Sequence, residues 1–371
     1  PGNYFEAGIS VLDPDVSGKT IAALGSQKTG DMAGDYYFPS AALKLQPTKN
    51  FSFGLIYDQP FGADAEYKST VGFTSPTLGN TEVEVDTQNL AVILGYQPTE
   101  NFNIYGGGVY QTIKGNVKLR GAAYGGAAAF GGYNASIKED SAAGWLAGFA
   151  YQIPEIALKA SITYRSEVEH SVAVDESSVG TGQLTAVMNN PALAGANATG
   201  ETDITTPQSV NLDFQTGIMA NTVAFANVRW VNWKDFSIRP YAFGVASKLA
   251  GPAVGKPDGF DLVAYTDDQW SANVGVGRKL NDQWAGNVSV GWDSGAGNPV
   301  STLGPTEGYW NVGLGVQYSP TPATFIAGGV KYFWLGDAKA QTGAQAGGSD
   351  YVAEFEDNNA LAYGLKIGYK F

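Results

Sequence analysis

The sequence predicts an all-β protein in which residues 1–371 form one domain, a closed antiparallel transmembrane β-barrel of about 14 strands. Three observations favour this fold. Short segments alternate apolar and polar residues, tight turns and long polar loops follow one another between the segments, and Trp and Tyr recur at segment ends. No change of composition and no Pro/Ser linker divides the chain into domains.

Composition agrees with this fold. The chain has no apolar run near the roughly 18 residues of a membrane helix, and its mean hydropathy is -0.12. Alternating lipid-facing and lumen-facing residues produce such a weak average. The absence of cysteine fits an envelope protein without disulfides. A net charge of -13 argues against a nucleic-acid partner. The sequence opens at Pro1 without a signal peptide, which indicates a mature, trimmed or engineered start.

The connections fall into two classes. The six tight turns lie within 46–51, 97–102, 151–155, 219–221, 280–283 and 318–323. The long polar loops lie within 14–35, 63–84, 118–138, 175–205, 237–263, 294–305 and 338–357. Short turns at one end and long loops at the other are typical of a bacterial outer-membrane barrel, and an even strand number places both termini in the periplasm.

The third predicted strand, Phe51 to Asp58, is followed by Gln59-Pro60-Phe61-Gly62. Proline cannot donate to a strand ladder and glycine permits a bend, so pairing should lapse here. Alternatively, the strand ends at Asp58 and an ordinary turn follows. In a closed barrel an interrupted strand leaves a hole in the wall. We therefore interpret Gln59, Pro60, Phe61 and Gly62 as a lateral gate.

The seventh predicted strand has the most polar inner face. Its lumen-facing residues are predicted to be Lys159, Ser161, Thr163, Arg165, Glu167 and Glu169. Arg165 either guides an anionic head group or pairs with neighbouring lumen carboxylates and braces the barrel.

Apolar residues in the long loops predict a surface groove for ligand. A short amphipathic helix is expected from Leu184, Val187, Met188 and Leu193 through the Ala-rich run to Ala198, and the preceding long loop supplies Tyr124, Phe130 and Tyr133. These side chains could equally pack only on each other and hold the loops.

Catalysis has little support. The sole histidine, His170, has the lipid-facing parity of its strand, which predicts a surface residue and not a base. There is no cysteine and no Gly-x-Ser-x-Gly elbow. Asp350, Glu354, Glu356 and Asp357 either bind calcium loosely or form a solvated acidic loop. No nucleotide or redox cofactor is expected.

At Ile162-Thr163-Tyr164-Arg165-Ser166-Glu167-Val168 the sequence resembles the FadL-type outer-membrane transporters of long-chain fatty acids and other hydrophobic compounds. Residues 7–16 and Asp282-Gln283-Trp284 support this resemblance, which extends over most of the chain. It implies a 14-stranded barrel with an N-terminal plug, an external hydrophobic groove, an internal binding site and a kinked third strand that opens the wall into the bilayer.

The resemblance places the kink at Pro60-Phe61-Gly62 and matches Arg120 to an arginine that binds the ligand carboxylate. A solvated charge at a loop base is the alternative for Arg120. A lysine partner of that arginine is replaced around Asp267-Asp268, which weakens the expectation of strict fatty-acid specificity. The plug should precede the first strand, yet that strand begins at Phe5, and the Asn-Pro-Ala tripeptide at 190–192 is interpreted as coincidence.

These patterns predict passive transport of hydrophobic molecules, fatty acids or aromatic hydrocarbons, by a monomer in contact with outer-membrane lipids. Ligand would be captured by the loops, pass Arg120 and Arg165, and leave through the third strand. The alternative is a non-selective aqueous pore, natural or produced by deletion of the plug. A lipid hydrolase is a third class, and it would require a serine beside a usable histidine.

Overall fold

The computed structural model describes residues 2–68, 71–193 and 201–371. Its main sheet closes on itself as an antiparallel barrel of 14 strands, which confirms the predicted fold class. The barrel strands are β1 (Tyr4–Asp15), β2 (Tyr36–Leu45), β3 (Phe51–Asp58), β4 (Glu82–Tyr96), β5 (Phe102–Lys118), β6 (Tyr133–Ile153), β7 (Leu158–Arg165), β8 (Ser209–Met219), β9 (Thr222–Val231), β10 (Gln269–Lys279), β11 (Trp284–Asp293), β12 (Tyr309–Thr321), β13 (Thr324–Leu335) and β14 (Asn359–Lys370).

Two α-helices occur in the long loops of the described chain, α1 (Gln183–Met188) and α2 (Tyr241–Ala250). Short 3-10 helices span Ala22–Leu24, Ala122–Tyr124, Pro154–Ile156, Trp233–Asp235, Gly251–Val254 and Gly343–Gln345. Shorter strands span Gly18–Thr20, Gly62–Glu66, Thr74–Ser75, Gly79–Asn80, Val168–Val172, Val174–Ser178, Thr202–Thr206, Ser237–Ile238, Val263–Ala264, Val300–Ser301, Ala338–Gln341 and Ala353–Phe355. Among the helices described, none is long and apolar enough to span a membrane.

Alternation along the strands decides which side chains face outward. On β12, Trp310, Val312 and Leu314 are exposed, whereas Asn311 between them is 4 % exposed. The same pattern holds on β14, where Leu361, Tyr363, Leu365, Ile367 and Tyr369 are exposed. Because successive residues of a strand point to opposite faces, the apolar set forms an outer band and the polar set fills the interior.

The six tight turns all lie at one end of the barrel, between β2 and β3 and at each second connection after that. Two of these turns place a non-glycine residue in the left-handed region, Ala157 at φ 54° and Asn221 at φ 56°. The seven long loops lie at the opposite end, as the sequence predicts.

Most fully buried apolar side chains lie in the long loops and not in the barrel interior. A four-stranded sheet formed by Gly18–Thr20, Ala353–Phe355, Ala338–Gln341 and Val300–Ser301 ties three loops together. Tyr67 and Tyr124 reach the same loop residue, since both hydroxyl groups hydrogen-bond to Thr302. The loops therefore form a packed cap with its own hydrophobic core.

Candidate functional site

The third strand is interrupted between Asp58 and Gly62. β3 pairs with β4 from Phe51–Tyr96 to Asp58–Asn89, and the chain resumes pairing with β4 at Gly62–Asp86. Between these two pairs the kinked strand advances by four residues and β4 by only three. One extra residue on one strand is the pattern of a β-bulge. The Thr87 side chain bridges this bulge, since its Oγ1 accepts from Phe61 N at 2.9 Å and donates to Phe61 O at 2.6 Å.

On its other side the kinked strand leaves a gap against β2. The β2–β3 ladder contains five residue pairs, from Leu45–Phe53 to Ala41–Tyr57. The next bridge toward the loops is Ala33–Ala65. Between these two bridges no backbone ladder pair joins the two strands in the described chain, and the contact there is a side-chain one, in which the Tyr36 hydroxyl accepts a hydrogen bond from Asp64 N. Pro39, which has no N–H to offer, lies on this stretch.

A polar cavity of about 130 Å3 lies directly behind the kink. Pro60 and Phe61 line it together with residues of β4, β5, β7, β8 and β9. Its polar lining residues are Asp58, Asn89, Gln111, Arg165, Ser166, Thr206, Ser209, Asn211 and Arg229. The structure thus brings Arg165 together with Pro60 and Phe61, two of the four predicted gate residues.

The cavity is lined by two arginines, Arg165 and Arg229, and one carboxylate, Asp58. Asp58 interacts electrostatically with both Arg165 and Arg229. Within the described chain, Arg229 Nε and Asn211 Oδ1 are buried without a hydrogen-bond partner. Because buried polar groups normally have partners, these atoms are free to bind a polar part of a ligand or water. Sequence reasoning missed Arg229, although it has the inward parity of β9.

The inner face of the seventh strand is shorter than predicted. Lys159, Ser161, Thr163 and Arg165 belong to β7, but the strand ends at Arg165. Ser166 N donates to Trp145 O at 2.9 Å, and Val168–Val172 then leaves the wall to pair with Thr202–Thr206. The prediction that Glu167 and Glu169 face the lumen is therefore wrong, because the strand does not continue past Arg165.

The prediction that His170 is a surface residue is also wrong, for the same reason. His170 is 1 % exposed. Its Nδ1 lies 2.9 Å from Asp140 Oδ2 and its Nε2 lies 2.9 Å from Gln111 Oε1. Gln111 continues the network to Asn89 at 2.9 Å, so His170 supports the wall of the kink cavity.

The loop cap contains a mainly apolar pocket of about 410 Å3. Three residues predicted for the surface groove, Tyr124, Phe130 and Leu184, line it. The wall that sequence reasoning missed comes from other loops and comprises Phe243, Ala250, Ala253, Val254, Phe260, Leu262, Leu303 and Ala344. The apolar residues of α2 are visible in the sequence and could have indicated that this loop contributes to the pocket.

Two other residues of the predicted groove are used for packing. Met188 at the end of α1 is 0 % exposed and does not line the pocket. Tyr133 is equally buried, and its hydroxyl donates to Glu176 at 2.7 Å. The predicted helix was longer than α1, and its Ala-rich part up to Ala198 falls within 194–200, outside the described residues.

Glu176 fixes the pocket wall by capping α2. Its carboxylate accepts hydrogen bonds from Ala242 N at 2.8 Å and Phe243 N at 2.9 Å, in the first turn of the helix. A carboxylate is favourable there because the first N–H groups of a helix have no intrahelical partner. Burial nevertheless raises the pKa of Glu176 above its ordinary value.

Arg120 is engaged by the protein itself. It is 3 % exposed. Its guanidinium donates to Leu78 O at 3.1 Å, Leu119 O at 2.8 Å, Tyr133 O at 2.9 Å and the Asn134 side chain. The alternative of a solvated charge is therefore wrong, and contact of Arg120 with a ligand carboxylate stays a prediction.

The acidic residues of the last loop do not gather around one point. In the described part of the chain, no group of three or more His, Asp or Glu residues could hold a metal ion. Glu354 instead accepts a hydrogen bond from the Tyr351 hydroxyl at 2.7 Å.

Comparison with known proteins gives one family and several similar folds. Residues 3–371 match the family model described as outer membrane protein transport protein (OMPP1/FadL/TodX). No curated protein matches the chain by sequence.

Three solved structures illustrate the similarity of fold. A Pseudomonas aeruginosa FadL homologue has a TM-score of 0.74 at 15 % identity, covering 100 % of this chain and 90 % of that one. The P. putida toluene transporter TodX has a TM-score of 0.66 at 13 % identity, with the same two coverages. The Ralstonia pickettii toluene transporter TbuX has a TM-score of 0.62 at 12 % identity, again with coverages of 100 % and 90 %.

Proposed function

Because this chain belongs to the outer membrane protein transport family (OMPP1/FadL/TodX), we propose that it captures apolar molecules in its loop cap and releases them sideways through its wall. Membership of the family makes it an outer-membrane β-barrel channel for hydrophobic compounds. The proposal adds the route. The long-loop end faces the outside of the cell, both termini lie in the periplasm, and the barrel acts as a monomer without energy input.

The observation that carries the proposal is the missing pairing between β2 and β3 beside the kink at Gln59–Gly62. A gap in a barrel wall is costly in lipid, because its backbone groups lose both water and their ladder partners. The same gap is useful to an apolar solute. Each methylene kept out of water is worth about 0.8 kcal/mol, so a side exit into the bilayer avoids the cost of crossing the periplasm.

Capture is assigned to the loop pocket lined by Tyr124, Phe130 and Leu184. Its lining is largely apolar, as expected for a site that takes a hydrophobic compound. Met188 belongs to the same hydrophobic core cluster as Tyr124 and Phe130, and Arg120 holds the carbonyl groups of the surrounding loops. The route then passes Arg165 in the kink cavity, where a ligand with an acidic group gains an electrostatic contact.

The similar structures are a FadL homologue and the toluene transporters TodX and TbuX. We propose the same broad class of hydrophobic compounds, aliphatic or aromatic, for this chain. Catalysis is not part of the proposed function, and the route needs no cofactor.

Purified protein in liposomes whose outer leaflet is lipopolysaccharide tests the proposal, because apolar solutes enter a plain phospholipid leaflet unaided. We expect uptake of oleate and of toluene to exceed that of empty liposomes, with little swelling in a small sugar. Large steady single-channel currents with sugar-driven swelling would instead identify an aqueous pore and overturn the proposal. The alternative that the protein is a lipid hydrolase is tested by measuring ester hydrolysis with the wild type and with His170→Ala. We expect no hydrolysis by either protein.

A further inference from the structure

We infer that Phe61 and Trp233 form an aromatic constriction inside the barrel that admits apolar ligands and excludes water and ions. The inference rests on the proposed transport function and adds a specificity-determining residue, Trp233, on the wall opposite the kink.

The contact joins the kink to a loop. The Phe61 and Trp233 rings meet edge to face, with centroids 5.4 Å apart and an interplanar angle of 78°. Trp233 also contacts Phe236 at 5.1 Å and Tyr265 at 5.2 Å. These four residues, Phe61, Trp233, Phe236 and Tyr265, are called the aromatic bridge below.

The bridge spans the barrel interior. Phe61 follows β3 and Trp233 follows β9, and along the wall these strands are separated by β4 to β8 on one side and by seven strands on the other. At about 4.8 Å per strand step, the shorter path along the wall is about 29 Å. Ring centroids 5.4 Å apart therefore meet across the interior and not along the wall.

Both rings are held in place by their surroundings. The backbone of Phe61 is fixed through its N–H and its carbonyl by the Thr87 hydroxyl. On the opposite wall, Asn232 N donates to Gln208 O at 3.0 Å, which anchors the residue before Trp233. Neither residue is fully buried, so each keeps some accessible surface.

The bridge lies between the two compartments described above. On one side, Phe61 lines the polar cavity that contains Arg165 and Arg229. On the other side, the chain from Phe236 and Tyr265 continues into the Ser237–Ile238 and Val263–Ala264 pairing, and from there to Phe260 and Leu262 in the apolar pocket.

An aromatic contact at this position can discriminate between solutes. Water and ions gain nothing from a narrow apolar passage, and such constrictions gate channels by losing their water. An apolar or aromatic ligand replaces the ring-to-ring contact with an equivalent one. The bridge therefore allows a hydrophobic ligand to move from the pocket to the lateral opening without a water-filled path.

Trp233→Ala tests the inference. We expect liposomes with this variant to swell severalfold faster in a small sugar than wild type, while oleate and toluene uptake changes less. Trp233→Phe should restore the low sugar permeability because it retains an aromatic ring. The matched control is Trp334→Ala, which removes an outward-facing tryptophan of β13 that is 51 % exposed.

Phe61→Ala removes the other half of the contact and serves if Trp233→Ala does not fold, as judged by heat-modifiable migration on gels. Sugar permeability unchanged from wild type in a folded variant of either kind would overturn the constriction. Wild-type liposomes that take up no apolar probe would overturn the proposed function instead, and the sugar measurement would still decide the constriction.

Discussion

Two seams of the barrel differ in how completely they close. The seam between the terminal strands, β1 and β14, contains 12 residue pairs, from Tyr4–Lys370 to Asp15–Asn359. The β2–β3 seam contains five pairs and then opens beside the kink. If joining the two ends of the chain limited closure, the barrel would be weakest where β1 meets β14. Its weak point instead lies where proline and a bulge interrupt a strand, so the opening is encoded locally.

Amide exchange should show the largest difference between the two seams. Within 36–40 and 59–63, we expect the amides that face the gap to exchange about a hundredfold or more faster than those of β1 and β14, because local opening costs less than barrel unfolding. Mass spectrometry of the protein in nanodiscs measures this. Equal protection of both seams would mean that the gap closes in a bilayer.

Repairing the strand should close the weak seam. With Pro60→Val and Gly62→Thr, we expect uptake of apolar probes to fall about fivefold, since Pro60→Val supplies one new ladder N–H and one hydrogen bond of about 1 kcal/mol favours the closed wall. The φ of Gly62 is not positive, and an added Cβ would lie 3.3 Å from Val85 O, a tight contact that requires a backbone shift of a few tenths of an ångström. Pro98→Val, in a tight turn, is the control. Unchanged uptake in the repaired barrel would remove the kink from the mechanism.

Arg120 hydrogen-bonds to the β3–β4 and β5–β6 loops, next to the side of the kinked strand that pairs with β4. Arg120→Gln should destabilise the cap by about 1–3 kcal/mol, because it leaves buried carbonyl acceptors of three residues without their donor. Limited proteolysis of the loops measures this effect. If Arg120 binds ligand instead, loop protection will stay at the wild-type level and acidic-probe uptake will fall.

Arg165 should show the opposite behaviour, since it lies at the cavity behind the weak seam. Arg165→Gln is expected to lower oleate uptake about two- to fivefold, as for the loss of a partly screened charge contact, and to leave toluene uptake and loop proteolysis unchanged. Equal loss of both substrates would indicate that Arg165 braces the barrel.

The smallest effect is expected in the β11–β12 loop, away from the weak seam. Burial raises the pKa of Glu307 to about 7, with a further contribution from Asp267 and Asp293. The folded loop therefore favours the protonated carboxyl, and its stability contribution is complete below about pH 4.5 and is lost as pH rises through about 7. Proteolysis of this loop should be faster at pH 8 than at pH 5, and Glu307→Gln should reduce that difference. Amide exchange at the β2–β3 seam, corrected for intrinsic rates, should be the same in Glu307→Gln and in the wild type.

Local patterns in the sequence sufficed for the barrel. Alternation determined the outward faces of β12 and β14, turn residues located all six tight turns, and Pro60 with Gly62 marked where pairing lapses. These features follow from residues within a few positions of each other, because side-chain period and turn chemistry are local properties.

The alternation rule gave wrong side-chain directions where a strand ended earlier than predicted. Continuing the in–out alternation of β7 as far as His170 predicted an outward-facing side chain. The chain leaves the wall after Arg165, so beyond that residue the alternation no longer predicts the direction of a side chain. Only part of the pocket lining was predicted, because the rest comes from loops that are distant in sequence. Tyr124 and Phe130 are close in sequence, whereas Phe243 and Phe260 join them only when another loop folds over.

The sequence by itself determined the barrel, its two unlike ends and the site of the kink, because each depends on short-range periodicity and backbone chemistry. Only the tertiary structure decided which distant side chains meet. Closure of the wall places Arg229 opposite Asp58 and Trp233 against Phe61, and loop packing encloses Arg120 with carbonyl groups. No local pattern contains these contacts, since they arise only when strands far apart in sequence face one interior.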